Sequence, residues 1–209
     1  MTVKLFLAVR RFLWKLVGVL LKKPKAVTTP KDNERVEEQP AGEVASPPYL
    51  IDQFDGVMTF SCKADGDMAL SKNFKVREFR CKDGSDEILI DMALVRYLQQ
   101  LRDWAGGSIT VSSGYRTPSH NKKVGGSENS KHMQGKAADI VCSTKTPLEL
   151  AKKAELMEVP GIEWNDVGKY THIDTRTGDD WWRQYAKDSK GKGYFIKIKS
   201  FYDVEEEQA

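Results

Sequence analysis

The chain has 209 residues, 40% of them hydrophobic and 30% charged, with a formal net charge of +3. That length buries one good core, so one domain with appendages is the natural expectation. Residues 1–26 hold seven cations and no acid, which leaves 26 basic against 30 acidic side chains elsewhere, a net of −4; a body of that sign argues against a nucleic-acid partner.

The first segment, MTVKLFLAVRRFLWKLVGVLLKK (residues 1–23), is helix-forming and apolar. At 100° per residue Lys4, Arg11, Lys15 and Lys22 fall in a stripe ~40° wide, with Phe6, Val9, Leu13, Leu16, Val17 and Leu20 opposite. A spanning helix would place Arg10, Arg11 and Lys15 mid-membrane at roughly 2.5–3.5 kcal/mol each. An export signal would confine its charge to the start and show a small-residue cleavage site. A basic amphipathic helix lying on the membrane surface accommodates both the stripe and Trp14 and is the leading reading, with an uncleaved anchor or an export signal as alternatives. Residues 24–50 are rich in Pro, Glu, Lys, Thr and Ala and read as a disordered, extended linker. The body then covers residues 51–204, and 205–209 form an acidic tail.

Within the body, VMTFSC (57–62) reads as a strand. Asp86 to Trp104 reads as a helix, because Ile90, Leu94, Tyr97, Leu98, Leu101 and Trp104 recur at 3–4 spacing, and Gly106-Gly107 stops it. Ser108–Ser112 is β-rich; Pro118–Val124 suggests a short helix ended by Gly125-Gly126; Ala137–Cys142 is a second strand. Thr146-Pro147-Leu148-Glu149 opens a helix with Pro at the first position and Glu at the capping-box site, running to about Met157. Tyr170–Thr175 is a third strand and Tyr194–Tyr202 a last candidate. Helices and strands mix without a βαβ rhythm, so the fold class is α+β, a small antiparallel sheet flanked by helices. Cys62, Cys81 and Cys142 are odd in number and lack a CxxC pair, which implies neither a disulfide framework nor a thiolate site. A Cys62–Cys81 bridge is open, but buried free thiols fit better, since cysteine commonly packs as a small hydrophobe.

The chemistry concentrates in SGYRTPSHNKKVGGSENSKHMQGKAADIVC. His132 and Asp139 offer an imidazole and a carboxylate, and His172 in KYTHIDTR offers a second imidazole from another strand. Zinc takes such donors well, and three protein ligands leave an open position of the kind a catalytic site needs. Gly135 lets the backbone turn between the first two donors, while Ala137 and Ala138 allow tight packing behind them. His120 is a rival ligand, but on a surface helix beside Lys122 and Lys123 a capping or hydrogen-bonding role fits it better.

SGYRTPSHN, VGGSENSKHMQGKAADI and VGKYTHIDTR together resemble the zinc D-alanyl-D-alanine carboxypeptidase family of the hedgehog/DD-peptidase superfamily. Its SxHxxGxAxD motif stands here as Ser130, His132, Gly135, Ala137 and Asp139, and the resemblance runs from about Leu70 to about Trp182. It implies that His132, Asp139 and His172 bind zinc, that Arg116 faces the substrate and the developing oxyanion, and that Ser130 lines the substrate cleft. Several relatives carry an acid three positions before the last histidine. Lys169 stands there in this chain. Asp174 shares a strand face with His172 and lies within reach of its second nitrogen. Asp166 would lie ~20 Å away along an extended strand, but Gly168 permits a reversal, and Glu163 is the outsider. Asp166 is the preferred base and Asp174 the orienting group. The resemblance implies hydrolysis of amide bonds in peptidoglycan stem peptides, as carboxypeptidase or endopeptidase, in a protein that is membrane-associated, exported to the envelope or released as a phage lysin. The alternative is a non-catalytic module in which zinc holds the fold and the cleft binds wall peptide or another protein.

Overall fold

A computed structural model describes residues 49–204; the expected membrane helix, most of the linker and the acidic tail lie outside them. Among the described residues no helix is long and apolar enough to cross a membrane. The order is α1 (Leu50–Gln53), β1 (Val57–Ser61), α2 (Cys62–Asp65), a 3-10 turn (Val76–Phe79), β2 (Glu87–Asp91), α3 (Met92–Ala105), β3 (Ile109–Ser113) and α4 (Pro118–Lys123). A 3-10 turn (Lys131–Gln134), β4 (Ala137–Cys142), α5 (Pro147–Leu156), β5 (Gly161–Asn165), β6 (Tyr170–Asp174), β7 (Trp181–Lys187), β8 (Gly193–Lys197) and a 3-10 turn (Phe201–Asp203) follow.

The expected small antiparallel sheet is corrected. β1 and β2 form a two-stranded ribbon, and the main sheet has six strands in the order β3-β4-β6-β5-β7-β8. It is mixed, because β5 and β7 run parallel while its other pairs are antiparallel. The alternation of β5 covers only five residues and β7 has no clean alternation, so periodicity announces neither plainly. Residues 86–91 correct a second expectation. The expected helix begins at Met92, after the strand β2, because Asp91 in extended conformation caps it, its carboxylate accepting from Ala93 N. Ile88 and Ile90 are buried on that strand, and a 3–4 spacing counted from Ile90 onward reads straight through the boundary. Gly106, in left-handed conformation at φ +64°, ends the helix.

The main sheet has two unlike faces, as the alternation of a pleated strand requires. One face buries Ala138, Ile140, Ile162, Trp164, Thr171, Ile173 and Trp182 and packs against α3 and α5. α5 is set by the expected capping box, with Thr146 Oγ1 accepting from Glu149 N and Glu149 accepting from Thr146 N. The other face carries Asp139, His172, Glu163 and Arg183 into an open cleft. All three cysteines are free thiols.

Candidate metal centre

Register aligns the site. Asp139 on β4 stands opposite His172 on β6, His172 opposite Glu163 on β5, and Glu163 opposite Arg183 on β7. Residues opposite in register share a face with their Cβ atoms ~5 Å apart, so these four side chains make one row across four strands. His132 joins from the Lys131–Gln134 turn, which Gly135 closes at φ +67°. A Cβ on Gly135 would lie 2.5 Å from the Leu89 backbone; a glycine is needed there for conformation and for space. Asp91 N donates to Gly135 O at 2.9 Å, and Thr175 Oγ1 donates to Asp91 Oδ2 at 2.6 Å. The helix cap, the turn and the end of β6 are thereby tied together.

His132 Nδ1 lies 2.7 Å from Gly114 O. A carbonyl only accepts, so Nδ1 carries the proton and Nε2 presents a lone pair. His172 Nε2 lies 3.2 Å from Asp174 Oδ2, which turns Nδ1 inward. Nε2 of His132, Nδ1 of His172 and Oδ1 of Asp139 are then 3.2, 2.8 and 3.3 Å apart. With His172 neutral and its proton on Nε2, three acceptor atoms face one another, an arrangement suited to a cation between them. Tetrahedral zinc with bonds of ~2.0–2.1 Å has edges of ~3.3 Å, so the donor set fits such an ion.

The surroundings hold each donor in its role. Arg116 Nη2 donates to Asp139 Oδ2 at 2.7 Å and Nε to Ser113 Oγ at 3.0 Å, leaving Asp139 Oδ1 for the centre. Arg116 N donates to His132 O at 3.2 Å. Gly114 is obligatory, because a Cβ there would lie 2.6 Å from Phe79 backbone atoms. Burial pulls His132 below its ordinary pKa. Burial also opposes charge on His172, but the Asp139 and Asp174 carboxylates push it up to about 9. Burial works against both carboxylates too. The two imidazoles nevertheless hold Asp139 well below the usual range, and Arg176 with His172 does the same for Asp174.

Of the residues expected at the site, His132, Asp139 and His172 come together, and Arg116 and Ser130 line the cleft. Asp174 sits fully buried behind His172 and outside the cleft lining. Asp166 is the correction. It does not line the cleft, and its carboxylate pairs with Lys169 Nζ at 2.5 Å in the β5–β6 turn, where Lys169 adopts φ +53°. The left-handed Lys169 makes that turn tight and keeps the carboxylate on the turn's own lysine. Glu163, expected as the outsider, is the one cleft-lining acid among the described residues besides Asp139. It is 5% exposed; Asn165 Nδ2 donates to its Oε1 at 3.1 Å, and Arg183 Nε and Nη2 donate to its Oε2 at 2.8 and 2.7 Å. His120 is off the cleft, on α4, its backbone N–H donating to Thr117 Oγ1 at 3.2 Å. Sequence reasoning missed Arg183, Asn165, Arg176 and Trp181. The period-2 pairs Glu163/Asn165 and Arg183/Tyr185 were the available signal, but which face they share is decided by strand pairing.

Two imidazoles and a carboxylate, each fixed from behind and open to a cleft on one side, define a metalloprotein with a solvent-facing centre. The sequence model of the family described as Peptidase M15 matches residues 71–174, a span holding all three donors. The zinc D-Ala-D-Ala carboxypeptidase of Streptomyces albus G is similar, 34% identical over 88 residues that make up 40% of this chain and 34% of that protein. The chain thus matches about a third of that relative's length.

Proposed function

We propose that this protein is a zinc metallopeptidase that hydrolyses amide bonds in peptidoglycan stem peptides, at or beside D-alanine. The convergence of His132 Nε2, His172 Nδ1 and Asp139 Oδ1 within 3.3 Å of one another carries the reading, and the M15 match supports it. The similarity to the Streptomyces D-Ala-D-Ala carboxypeptidase supports the substrate class. Zinc held by these donors supplies Lewis acidity that polarises a carbonyl and acidifies water.

The chain's own groups do the rest. Asp174 and Gly114 O fix the tautomers of the two imidazoles. Arg116, with Nη2 and Nε committed to Asp139 and Ser113, retains Nη1 as a donor for a substrate carboxylate or the developing oxyanion. Ser130 sits on the cleft wall beside His132. Glu163 takes the proton of the attacking water and returns it to the leaving amine. Its Oε2 accepts twice from Arg183 and its Oε1 once from Asn165, so Oε1 keeps the lone pair that moves the proton. Asp166 is left a structural partner of Lys169.

Purified protein incubated with muropeptides should release new amines, and both chelation and His132→Ala should abolish that release. Full turnover in zinc-free protein would rule the mechanism out. The competing reading is a zinc-stabilised binding module without turnover, favoured by Lys169 in the place where several relatives carry an acid. Binding of muropeptides without any amine released would establish it. Residues 1–23 would hold the domain at a membrane surface, either within the envelope or after release in lysis; removing them should lower binding to anionic liposomes.

A further inference from the structure

The cleft continues well past the metal centre. Its volume is about 960 Å³, at the upper end of the ~300–1,000 Å³ of ordinary ligand pockets, and a ligand of two small residues fills only part of it. From β6 it crosses β5 and β7 to β8, three strand spacings or ~14 Å. A chain of ring contacts paves this stretch. Trp181 stands 6.1 Å from the His172 ring, Arg183 lies 3.8 Å over Trp181, and the same guanidinium lies 3.5 Å from the Phe195 ring. Arg176 also lies over Trp181, at 4.0 Å. Glu163 holds Arg183 in place, so the platform is rigid before any ligand arrives, and Phe195 keeps 52% of its surface in solvent.

Charge points the same way. Arg116, Lys131, Arg176 and Arg183 line the cleft against the carboxylates of Asp139 and Glu163, a surplus of cations even without a metal. Trp181, Arg183 and Phe195 all lie beyond residue 174, where the M15 match ends. The platform stands on β7 and β8.

We infer that the β7–β8 side of the cleft is a subsite for the remote part of an extended, carboxylate-bearing peptide, so that the protein prefers a longer peptide to a bare dipeptide. This rests on the peptidase reading. Aromatic surface and the stacked guanidinium supply contact area, and the fixed cations supply the preference for negative charge.

The test uses uncut probes with the zinc-loaded full chain. Calorimetry compares acetyl-D-Ala-D-Ala carrying a reduced scissile amide with a six-residue peptide built around the same reduced unit and bearing two glutamates. The longer probe is expected to bind at least tenfold more tightly. Phe195→Ala should cut that ratio at least fivefold, and Trp181→Phe, which keeps a smaller aromatic ring in case a non-aromatic residue disturbs the sheet, should cut it severalfold. A long probe with glutamines in place of glutamates should lose severalfold. Equal affinity for short and long probes, or a ratio that survives both substitutions, overturns the subsite while leaving the peptidase reading standing. A glutamine probe as tight as the glutamate one overturns the preference for carboxylates. If neither probe binds, the peptidase reading falls and the subsite with it.

Discussion

Gly161 and Asp174 face each other across β5 and β6, and the place a Cβ would take on Gly161 lies 2.2 Å from Asp174 Oδ1. The missing side chain is the socket for the carboxylate that receives His172 Nε2 and the Arg176 guanidinium. Gly161→Ala is expected to displace Asp174 and lower zinc affinity about 10–100-fold, as Asp174→Asn should. Competition with a chelator measures it; unchanged affinity in both variants would remove Asp174 from its orienting role.

Glu163→Gln should lower kcat by about 10²–10⁴-fold with bound zinc unchanged, the loss typical of a missing general base. Asp166→Asn, on the β5–β6 turn, should stay within about twofold of wild type. Steady-state kinetics on a stem peptide decides, and the opposite ranking would move the base to the turn.

The difference between those two acids also marks where the sequence stops being legible. His132 and Asp139 sit in one short motif, and β4 and β6 show themselves by β-rich composition, so the donor set can be read from the chain. Glu163 gains its place only because β5 pairs with β6 on one side and, in parallel, with β7 on the other. Chain distance gives no hint of this, and although Glu163 and Asn165 alternate with Ile162 and Trp164, all five residues of β5 are buried, so the polar pair does not mark a solvent face. β2 was hidden for a local reason. Its isoleucines run into the helical spacing of α3, and only the Asp91 cap separates the two. Asp166 looked close to His172 along the chain, but the turn that shortens the path also occupies it with Lys169.

Gly135→Ala combines a left-handed backbone with a collision against Leu89, whereas Gly125 has φ +72° and nothing within 4 Å of its would-be Cβ. Backbone strain costs about 1–3 kcal/mol at either site, or roughly 2–4 °C in Tm per kcal/mol for a domain of this size. The Tm loss in Gly135→Ala should exceed that in Gly125→Ala, and the difference measures the collision. Equal losses would show that the turn simply moves away from β2.

Hydrogen bonding from Thr146 N holds the Glu149 carboxyl below its ordinary value of 4.5, with Lys145 adding to the effect. A depressed folded-state pKa contributes stability above the unfolded value, lost as pH falls through the folded one. Wild type should therefore lose part of its stability below about pH 4.5, and Glu149→Gln should have a flatter acid limb in thermal melts. Thr146→Ala should cost about 1 kcal/mol at neutral pH. A limb unchanged by Glu149→Gln would mean the α5 cap contributes nothing to acid sensitivity.

Because neighbouring positions on these strands point to opposite sides of the main sheet, substitutions at 165, 183, 185 and 195 can remodel what is recognised without touching the packing that Ile162, Trp164 and Trp182 provide. Substrate preference in this domain is free to diverge on one side of a scaffold whose other side keeps it folded.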